Sequence, residues 1–534
     1  MQKQSKLQIT LNNEKYTPNE PATKKKIRGS TMMFINNCVG DVILTIACRF
    51  AQLGLPLGVV LLTTTFLFEL WAFRVISKAC VLSNSGDLLT LMKKCYNKRF
   101  ALFIDVCAVL MLFAVQICYT LIISSYVHQA YDLFTKNEIC QFDDSTCLVK
   151  YRNIEIVIRL VVGFLILPFE DLITSVDILN HISSFAVIFV LVTVVCIVLR
   201  SSVTLISGQL AYDKLFVARQ PKIPLKPNML DIFVDFTGMF AMFSLQPVIP
   251  PLYAELVGNR DTKHKIVSKA SDIATSALYV LYMITGVLGC LVFYGDNQPK
   301  YQNDNILVNY SSSDILMSVI RIIYVLVVMI GYPVVIFQIR ASMASWFGID
   351  RQSACSKITF ISLGLLATVI CSTIALFTPS ILTIFDPFCA VFGCVLFQIL
   401  PVMVWFKLPK LEKECEHEVE QYEELNKRVS RSSIAQVAIS MLGGGHVSIE
   451  AVNRDITASI VANKSTRTSM LVGIEDSGSY NQEQINIPQV SSDHVVIEAK
   501  MWRCRKMAFY PIIAVIIAFN SVSFGVSMHR IKSE

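Results

Sequence analysis

A single aspartate inside the first apolar run is the residue of this sequence most able to do chemistry. Asp41 lies in the stretch INNCVGDVIL (35–44), within an apolar run that continues to about Gly54 and is long enough for a membrane span. A carboxylate at the centre of a span costs roughly 2.5–3.5 kcal/mol. It could carry a proton, stay ionised beside a cationic substrate or ion, or be satisfied by backbone N–H groups or water in an unwound turn. Because acids inside membranes are usually functional, proton coupling is the leading interpretation.

A second interruption occurs in the sixth apolar run, where SLQPVIPP (244–251) places three prolines in a helix. Proline removes a backbone donor and clashes with the preceding turn, so this helix is predicted to be broken. If five spans form each half of the protein, both interruptions lie in the opening span of a half. Such paired breaks mark a transporter's binding site, because the freed N–H and C=O groups can hold a zwitterion and an ion. A proline-kinked helix that is merely packed by protein is the alternative.

The predicted substrate site combines the two interruptions, and its residues are Asn36, Asn37, Val39, Gly40, Asp41, Val42, Ser244, Leu245 and Gln246.

Composition indicates that these breaks lie in membrane helices. The chain is 54% hydrophobic and 16% charged, whereas soluble proteins carry about 25% charged residues. About eleven segments approach the ~20 apolar residues that a span needs, and backbone facing lipid must be helical. We therefore predict an all-α polytopic membrane protein. The segments lie near 31–51, 55–76, 100–125, 153–169, 180–199, 230–253, 273–294, 313–338, 357–378, 381–406 and 507–527.

Basic residues predict the orientation of the chain. A cluster at 24–28 precedes the first span and places the N-terminus in the cytoplasm by the positive-inside rule. The basic loops at 93–99 and 260–269 fall on the same side, whereas the loop at 200–228 disagrees. The net charge of +7 is thus explained by topology, not by nucleic-acid binding. We expect the plasma membrane or a vacuolar or lysosomal membrane.

Two features are expected outside. Most of the 16 cysteines lie in spans or on the cytoplasmic side, but Cys140 and Cys147 share an outside loop and are candidates for a disulfide. The sequon at Asn309 also falls outside, where it could be glycosylated, whereas the sequon at Asn463 falls inside.

Five regions are predicted along the chain: a cytoplasmic tail (1–28), a ten-helix core (29–407), a cytoplasmic insertion (408–505), an eleventh span (506–528) and a C-terminal tail (529–534). The insertion starts with a charged helical pattern and continues with Ser, Thr, Asn and Gly, as is typical of flexible regulatory segments. Cytoplasmic regulators would bind there.

Other charged residues in the spans have plainer interpretations. Glu69 and Asp105 lie closer to span ends, so snorkelling or helix pairing is expected. Asp235 sits near the start of the sixth span, where acids favour a helix N-terminus. Asp386 precedes a proline and could cap a helix break, and Arg340 is expected to be an anchor on the cytoplasmic side.

Enzymatic chemistry is not indicated. The sequence shows no nucleophile–base pair and no metal-ligand cluster, and GGG at 443–445 lacks the Lys-Ser/Thr of a phosphate-binding loop. We predict neither enzyme activity nor a cofactor or metal.

Several motifs resemble the amino acid/auxin permease family in order and position. They are NNCVGDVILTIACRFAQLG (36–54), FSLQPVIPPLYAEL (243–256), GVLGCLVFYGDN (286–297) and YPVVIFQIR (332–340), with weaker echoes at 166–172 and 392–408. The sequence is most similar to the branch of sodium-coupled neutral amino acid transporters. The resemblance, which covers most of 29–408, implies the LeuT-like 5+5 inverted repeat of the APC superfamily plus one extra helix.

Departures from the family pattern bear on the coupling ion. Val42 stands where the family's first-span motif has its second glycine, and Gln246 stands where the family's sixth span has a histidine. In sodium-coupled relatives a Ser or Thr of the eighth span joins first-span carbonyls around Na⁺, but here that position is Gly331. Hard cations prefer oxygen ligands, so H⁺ is favoured over Na⁺, with ion coupling at Asp41 and Gly331.

The expected function is secondary active transport of amino acids, with neutral substrates and proton symport favoured. A sensor that binds an amino acid and signals through 408–505 is one alternative. A sodium-coupled symporter or a carrier of cationic amino acids is another, and a channel is disfavoured because no filter sequence or ring of pore charges is present.

Overall fold

The structure is a computed structural model, and it describes most of the apolar part of the chain. The described residues are 20–40, 42–135, 145–171, 176–207, 229–256, 260–294, 303–311, 314–347, 354–417, 420–421, 520, 521, 523 and 525.

These residues are almost entirely helical, as expected for segments that must satisfy their backbone groups internally. The helices are α1 (Glu20–Val39), α2 (Val42–Leu53), α3 (Leu55–Ser83), α4 (Leu88–Cys95), α5 (Lys98–Thr135), α6 (Ser145–Val161), α7 (Leu167–Glu170), α8 (Val176–Ser207), α9 (Met229–Ala241), α10 (Ile249–Glu255), α11 (Arg260–Phe293), α12 (Ile306–Asn309), α13 (Ile315–Trp346), α14 (Ala354–Phe377) and α15 (Ile381–Phe388).

Seven described helices are long and apolar enough to cross a membrane, and the bent pair formed by α1 and α2 makes eight. The fourth and sixth predicted spans correspond to interrupted helices, α6–α7 and α9–α10. Most of the eleventh predicted span lies outside the described residues. The all-α polytopic class is confirmed.

Both predicted breaks are present in the helices. The first span bends by 54° where α1 ends at Val39 and α2 begins at Val42. In the sixth span α9 ends at Ala241 and α10 begins at Ile249, so the residues between them leave the helix. The breaks fall in the first and sixth passes, as the predicted 5+5 repeat requires.

The tenth pass stays helical despite its proline. Pro387 lies inside α15, and the helix continues through a π-helical stretch, Cys389–Ile399, up to His417. Proline cannot donate a backbone hydrogen bond, and the wider turns of the π-helical stretch let the helix continue past it. The prediction that Asp386 caps a helix break is therefore wrong.

A buried cluster of charges joins three spans at the end of the bundle away from the start of α1. Arg49 of α2 donates to Asp235 of α9 at 3.1 Å and to Asp386 of α15 at 2.6 Å. The side chains are 0%, 0% and 4% exposed, respectively. Since a buried charge is tolerated only when it is paired, this charge clamp holds the three helices together. Asp235 thus serves as an ion-pair partner in addition to its place near a helix start.

A second buried arginine closes the same end. Arg321 of α13 donates to the carbonyl oxygens of Leu307 at 3.0 and 3.1 Å and of Tyr310 at 2.5 Å. These bonds hold the short helix α12, which contains Leu307 and ends just before Tyr310, over the bundle. The backbone N–H of Leu382 donates to Asp304 at 2.8 Å, which ties the same loop to the start of α15.

Arg340 is not a surface anchor. Its side chain is fully buried and donates to the backbone carbonyl of Asp171 at 2.6 Å, while Thr368 donates to the carboxylate of Asp171 at 2.8 Å. Arg340 was expected to be an anchor on the cytoplasmic side, whereas the structure places it in a buried contact between helices. The sequence cannot tell an interfacial arginine from one that caps a neighbouring helix end.

The chain divides into two compact units. The first comprises Met1–Leu408 together with Phe509–Glu534 and contains both breaks and the charge clamp. The second is Pro409–Ala508, and its described residues are helical, with an ion pair of 3.4 Å between Lys410 and Glu414.

The charge clamp depends on a glycine of α9. Adding a single methyl group at this glycine should therefore disturb the charge clamp. At Gly238 an added Cβ would collide with the guanidinium of Arg49, so Gly238→Ala should displace the arginine from its carboxylates. We expect a loss of about 1–3 kcal/mol in the free energy of unfolding, which thermal unfolding of the detergent-purified protein would measure.

Gly29→Ala is the matched control, because a Cβ at Gly29 meets no atom within 4 Å. An equal melting temperature for the two variants would contradict the importance of the charge clamp.

Candidate functional site

A cavity of about 500 Å³ opens between the spans at the end of the bundle where α1 lies. It is bounded by α1, the turn before α4, α5, α10 and α13. Its polar lining consists of amides, hydroxyls and two carboxylates, from Asn36, Asn37, Asp87, Asp105, Gln338, Ser342 and Ser345.

The two carboxylates of this cavity already have donors. Asp87 caps α4 by accepting from the backbone N–H of Thr90 at 2.6 Å. Asp105 accepts from the indole N–H of Trp346 at 2.6 Å and from the hydroxyl of Ser342 at 3.3 Å. The expected helix pairing of Asp105 is therefore confirmed.

A smaller cavity of about 50 Å³ adjoins the large one and reaches the two helix breaks. Both cavities share Asn37, Pro247 and Gln338. Residues of each break line the small cavity, namely Cys38 and Val42 from the first span and Ser244 and Pro247 from the sixth. None of the described residues that line this inner chamber carries a charge.

Tyrosine hydroxyls bind the carbonyl groups that the breaks release. Tyr282 of α11 donates to the carbonyl oxygens of Cys38 at 2.8 Å and of Met242 at 3.1 Å, and so bridges both breaks. Tyr324 of α13 donates to the carbonyl of Gly40. Backbone acceptors that no helix satisfies are thus paired within the protein.

A third tyrosine fills the space beside the first break. The phenol of Tyr119 on α5 lies between two glycines, Gly40 of the first span and Gly331 of α13. A Cβ built on Gly40 would lie 2.7 Å from the phenolic oxygen, and one built on Gly331 would lie 3.3 Å from it. A side chain at Gly40 would therefore collide with the phenol, and one at Gly331 would press against it.

This arrangement of broken helices around a chamber agrees with a direct sequence comparison. The profile described as "Transmembrane amino acid transporter protein" matches residues 23–442, more than half of the chain. The chain belongs to this family.

A relative in the family is the sodium-coupled neutral amino acid symporter 2 of Danio rerio. It is 22% identical in an alignment of 414 residues that covers 71% of this chain and 74% of the relative. This member of the amino acid transporter family is accordingly a multi-pass membrane protein that acts in secondary transport of amino acids and is not an enzyme.

Solved structures of a manganese transporter of Eremococcus coleocola also superpose on this chain. A variant of that protein is 12% identical at a TM-score of 0.46, covering 96% of this chain and 98% of the other. Its complex with an aromatic bis-isothiourea compound is 13% identical at 0.46, covering 86% and 95%. Overlaps of this size do not establish a shared cargo.

Several predicted residues of the first break reach the cavities in the transporter. Asn37 and Val42 line the small cavity, and Asn36 lines the large one. Val39 and Gly40 take part through their carbonyl groups, which accept from Tyr324. Asp41, the leading candidate for ion coupling, lies outside the described residues.

The residues of the sixth break divide between two roles. Ser244 lines the small cavity, whereas Leu245 and Gln246 are fully buried away from it. The amide of Gln246 donates to the carboxyl of Glu69 on α3 at 2.5 Å. Glu69 is 0% exposed, so of the two expected roles, snorkelling and helix pairing, the structure supports helix pairing.

Arg49 and Tyr282 were missed by sequence reasoning. A cation in the apolar run of the first span was itself a signal, since intramembrane charges pair or function. Tyr282 carried no such signal, because an isolated tyrosine on an apolar helix is common and its carbonyl partners are remote in the chain.

Two further predictions concern the loops. The side chains of Cys140 and Cys147 lie outside the described residues. Asn309 is 1% exposed, and its amide nitrogen donates to the Tyr294 hydroxyl at 3.1 Å and to the Asn303 carbonyl at 2.9 Å. A glycan is attached through this nitrogen, so the structure argues against glycosylation of Asn309.

The bridge made by Tyr282 predicts a specific loss. Tyr282→Phe keeps the ring contact with Phe243 but leaves two break carbonyls without a donor. We expect about 1–3 kcal/mol less stability and reduced transport, measured by thermal unfolding and by amino acid uptake into proteoliposomes.

Tyr279→Phe is the control on the same helix, because the Tyr279 hydroxyl bonds to Thr63 at 3.0 Å, away from the breaks. Equal effects of the two substitutions would show that the hydroxyl of Tyr282 has no special role.

Proposed function

We propose that this protein carries small or medium neutral amino acids by alternating access, and that a proton rather than Na⁺ accompanies them. The observation that carries the proposal is the position of Tyr119 against Gly40 and Gly331. Sodium coupling in the resembling branch uses a hydroxyl at the position of Gly331, and here a phenol fills that space instead.

The small cavity supports neutral substrates, because none of the described residues that line it carries a charge. The carboxylate and amine of the substrate would bind backbone groups at the breaks, with Ser244 and Asn37 as side-chain partners. The name of the Danio rerio relative also supports neutral amino acids, whereas its sodium coupling is opposed by the residues around Gly331. A cationic substrate would depend on Asp41.

Alternating access is supported by the difference between the two ends of the bundle. The large cavity reaches the breaks from one end, while the charge clamp and Arg321 close the other. Opening the closed end would require Arg49 to separate from at least one of its two carboxylates. Substrate and proton would enter there and leave through the cavity.

The orientation of this cycle follows from the basic residues near the cavity end. Lys24–Arg28 and the 93–99 loop favour a cytoplasmic cavity under the positive-inside rule. A plasma membrane or a vacuolar or lysosomal membrane is the proposed location. The unit Pro409–Ala508 would offer sites for cytoplasmic regulators.

Uptake into proteoliposomes tests the coupling ion. The purified protein is given a panel of amino acids under a pH gradient, a Na⁺ gradient, both or neither. We expect neutral amino acids to accumulate when the outside is acid, with no stimulation by Na⁺ alone. Stimulation by Na⁺ alone would overturn the proposal, and binding without flux would favour a sensor.

Asp41→Asn in the same assay tests the carrier that the sequence suggests. Loss of proton-driven uptake with retained amino acid exchange is the expected result if Asp41 holds the proton. Full proton-driven uptake by Asp41→Asn would exclude it as the carrier.

A further inference from the structure

Glu69 is a buried acid that lies next to the break of the sixth span and lines neither cavity. It sits on α3 with no exposed surface, and one of its oxygens, Oε2, accepts from the amide of Gln246 at 2.5 Å. Gln246 belongs to the non-helical stretch of the sixth span. Glu69 therefore has direct contact with the segment that must move if this span changes its bend.

The contact between Glu69 and Gln246 contains more hydrogen-bond acceptors than donors. Within the described residues, Oε1 of Glu69 and Oε1 of Gln246 are both buried and have no hydrogen-bond partner. A buried acceptor without a donor is unfavourable, because it has lost its hydrogen bonds to water. A proton on Glu69 would turn one surplus acceptor into a donor, and an ionised carboxylate would leave both unsatisfied.

In the part of the chain that the structure describes, Glu69 has no cation beside it that would hold a negative charge there. Within the described residues no ion pair includes it, and its titratable neighbour is Cys38 of α1, whose thiol bonds to Ser244. The titratable groups named next, on the helices packed against α3, have other partners. Arg49 of α2 pairs with Asp235 of α9, Tyr253 of α10 bonds to Asn84, and Lys94 of α4 bonds to the carbonyl of Ser83. On α11, Tyr279 bonds to Thr63, Tyr282 to the break carbonyls, Asp272 to Arg74 and His264 to Ser77.

We propose that Glu69 carries the coupled proton and that Gln246 transmits its protonation to the broken sixth span, an assignment that rests on the proton-coupled function proposed above. Glu69 takes one proton from water when the closed end opens and releases it to water of the cytoplasmic cavity. No other bond is made or broken.

The neutral form fits the packed arrangement of this structure. The ionised form needs further donors, which backbone N–H groups or water can supply only if the stretch around Gln246 shifts. Loss of the proton would thus move the same segment that holds the substrate through Ser244.

Glu69→Gln tests the assignment, because glutamine is the same size and cannot titrate. Proteoliposomes with an entrapped pH dye report proton entry when a neutral amino acid is added outside. We expect wild type to acidify the lumen, and Glu69→Gln to exchange amino acids without acidification or response to a pH gradient. Asp272→Asn, which removes an exposed carboxylate beside α3, should behave as wild type.

The outcomes separate this assignment from the proposed function. Amino acid-driven acidification by Glu69→Gln would overturn the role of Glu69. If Asp41→Asn alone loses acidification, the carrier is Asp41 and proton coupling stands. If wild type fails to acidify, the proposed proton coupling itself is wrong.

Gln246→Leu provides a second test should Glu69→Gln fail to fold. It removes the amide that contacts the carboxyl, so we expect the pH profile of uptake to shift relative to wild type. An unchanged pH profile in a folded Gln246→Leu protein would contradict the link between Glu69 and the sixth span.

Discussion

A break in a membrane helix releases backbone carbonyl groups where no bulk water can bind them, and the rest of this structure depends on how they are paired. Tyr282 serves carbonyls of both breaks, and Tyr324 serves the first. Because α11 and α13 carry these hydroxyls, the helices around the breaks define their shape. The carbonyls that face the small cavity are then held in place before a substrate arrives.

Charge is distributed in keeping with this arrangement. Arg49 and its two carboxylates form a fully buried cluster at the closed end, whereas the chamber at the breaks is free of charge among its described residues. An ion pair in a low-dielectric interior holds only while both partners remain in contact. Separating Arg49 from its carboxylates would leave buried charges without partners, so the charge clamp opposes separation of the three helices.

The sequence was sufficient for the class of fold and for both breaks, because apolar length and proline placement act locally. The predicted residues Asn37, Val42 and Ser244 line the small cavity, since Asn37 and Val42 flank the first break and Ser244 lies within the second. It could not find contacts between helices. For Glu69 it left snorkelling and helix pairing open, because the burial of this residue and its bond to Gln246 depend on packing across more than 170 residues.

The contact of Tyr119 with two glycines also constrains how this family member could change by mutation. A serine at position 331 would meet the phenolic oxygen, since even its Cβ would lie 3.3 Å away. A hydroxyl at position 331 would therefore require Tyr119 to shift by a few tenths of an ångström, and a smaller residue in place of Tyr119 would open a void against Gly40. The phenol thus links the packing of the first span to that of α13.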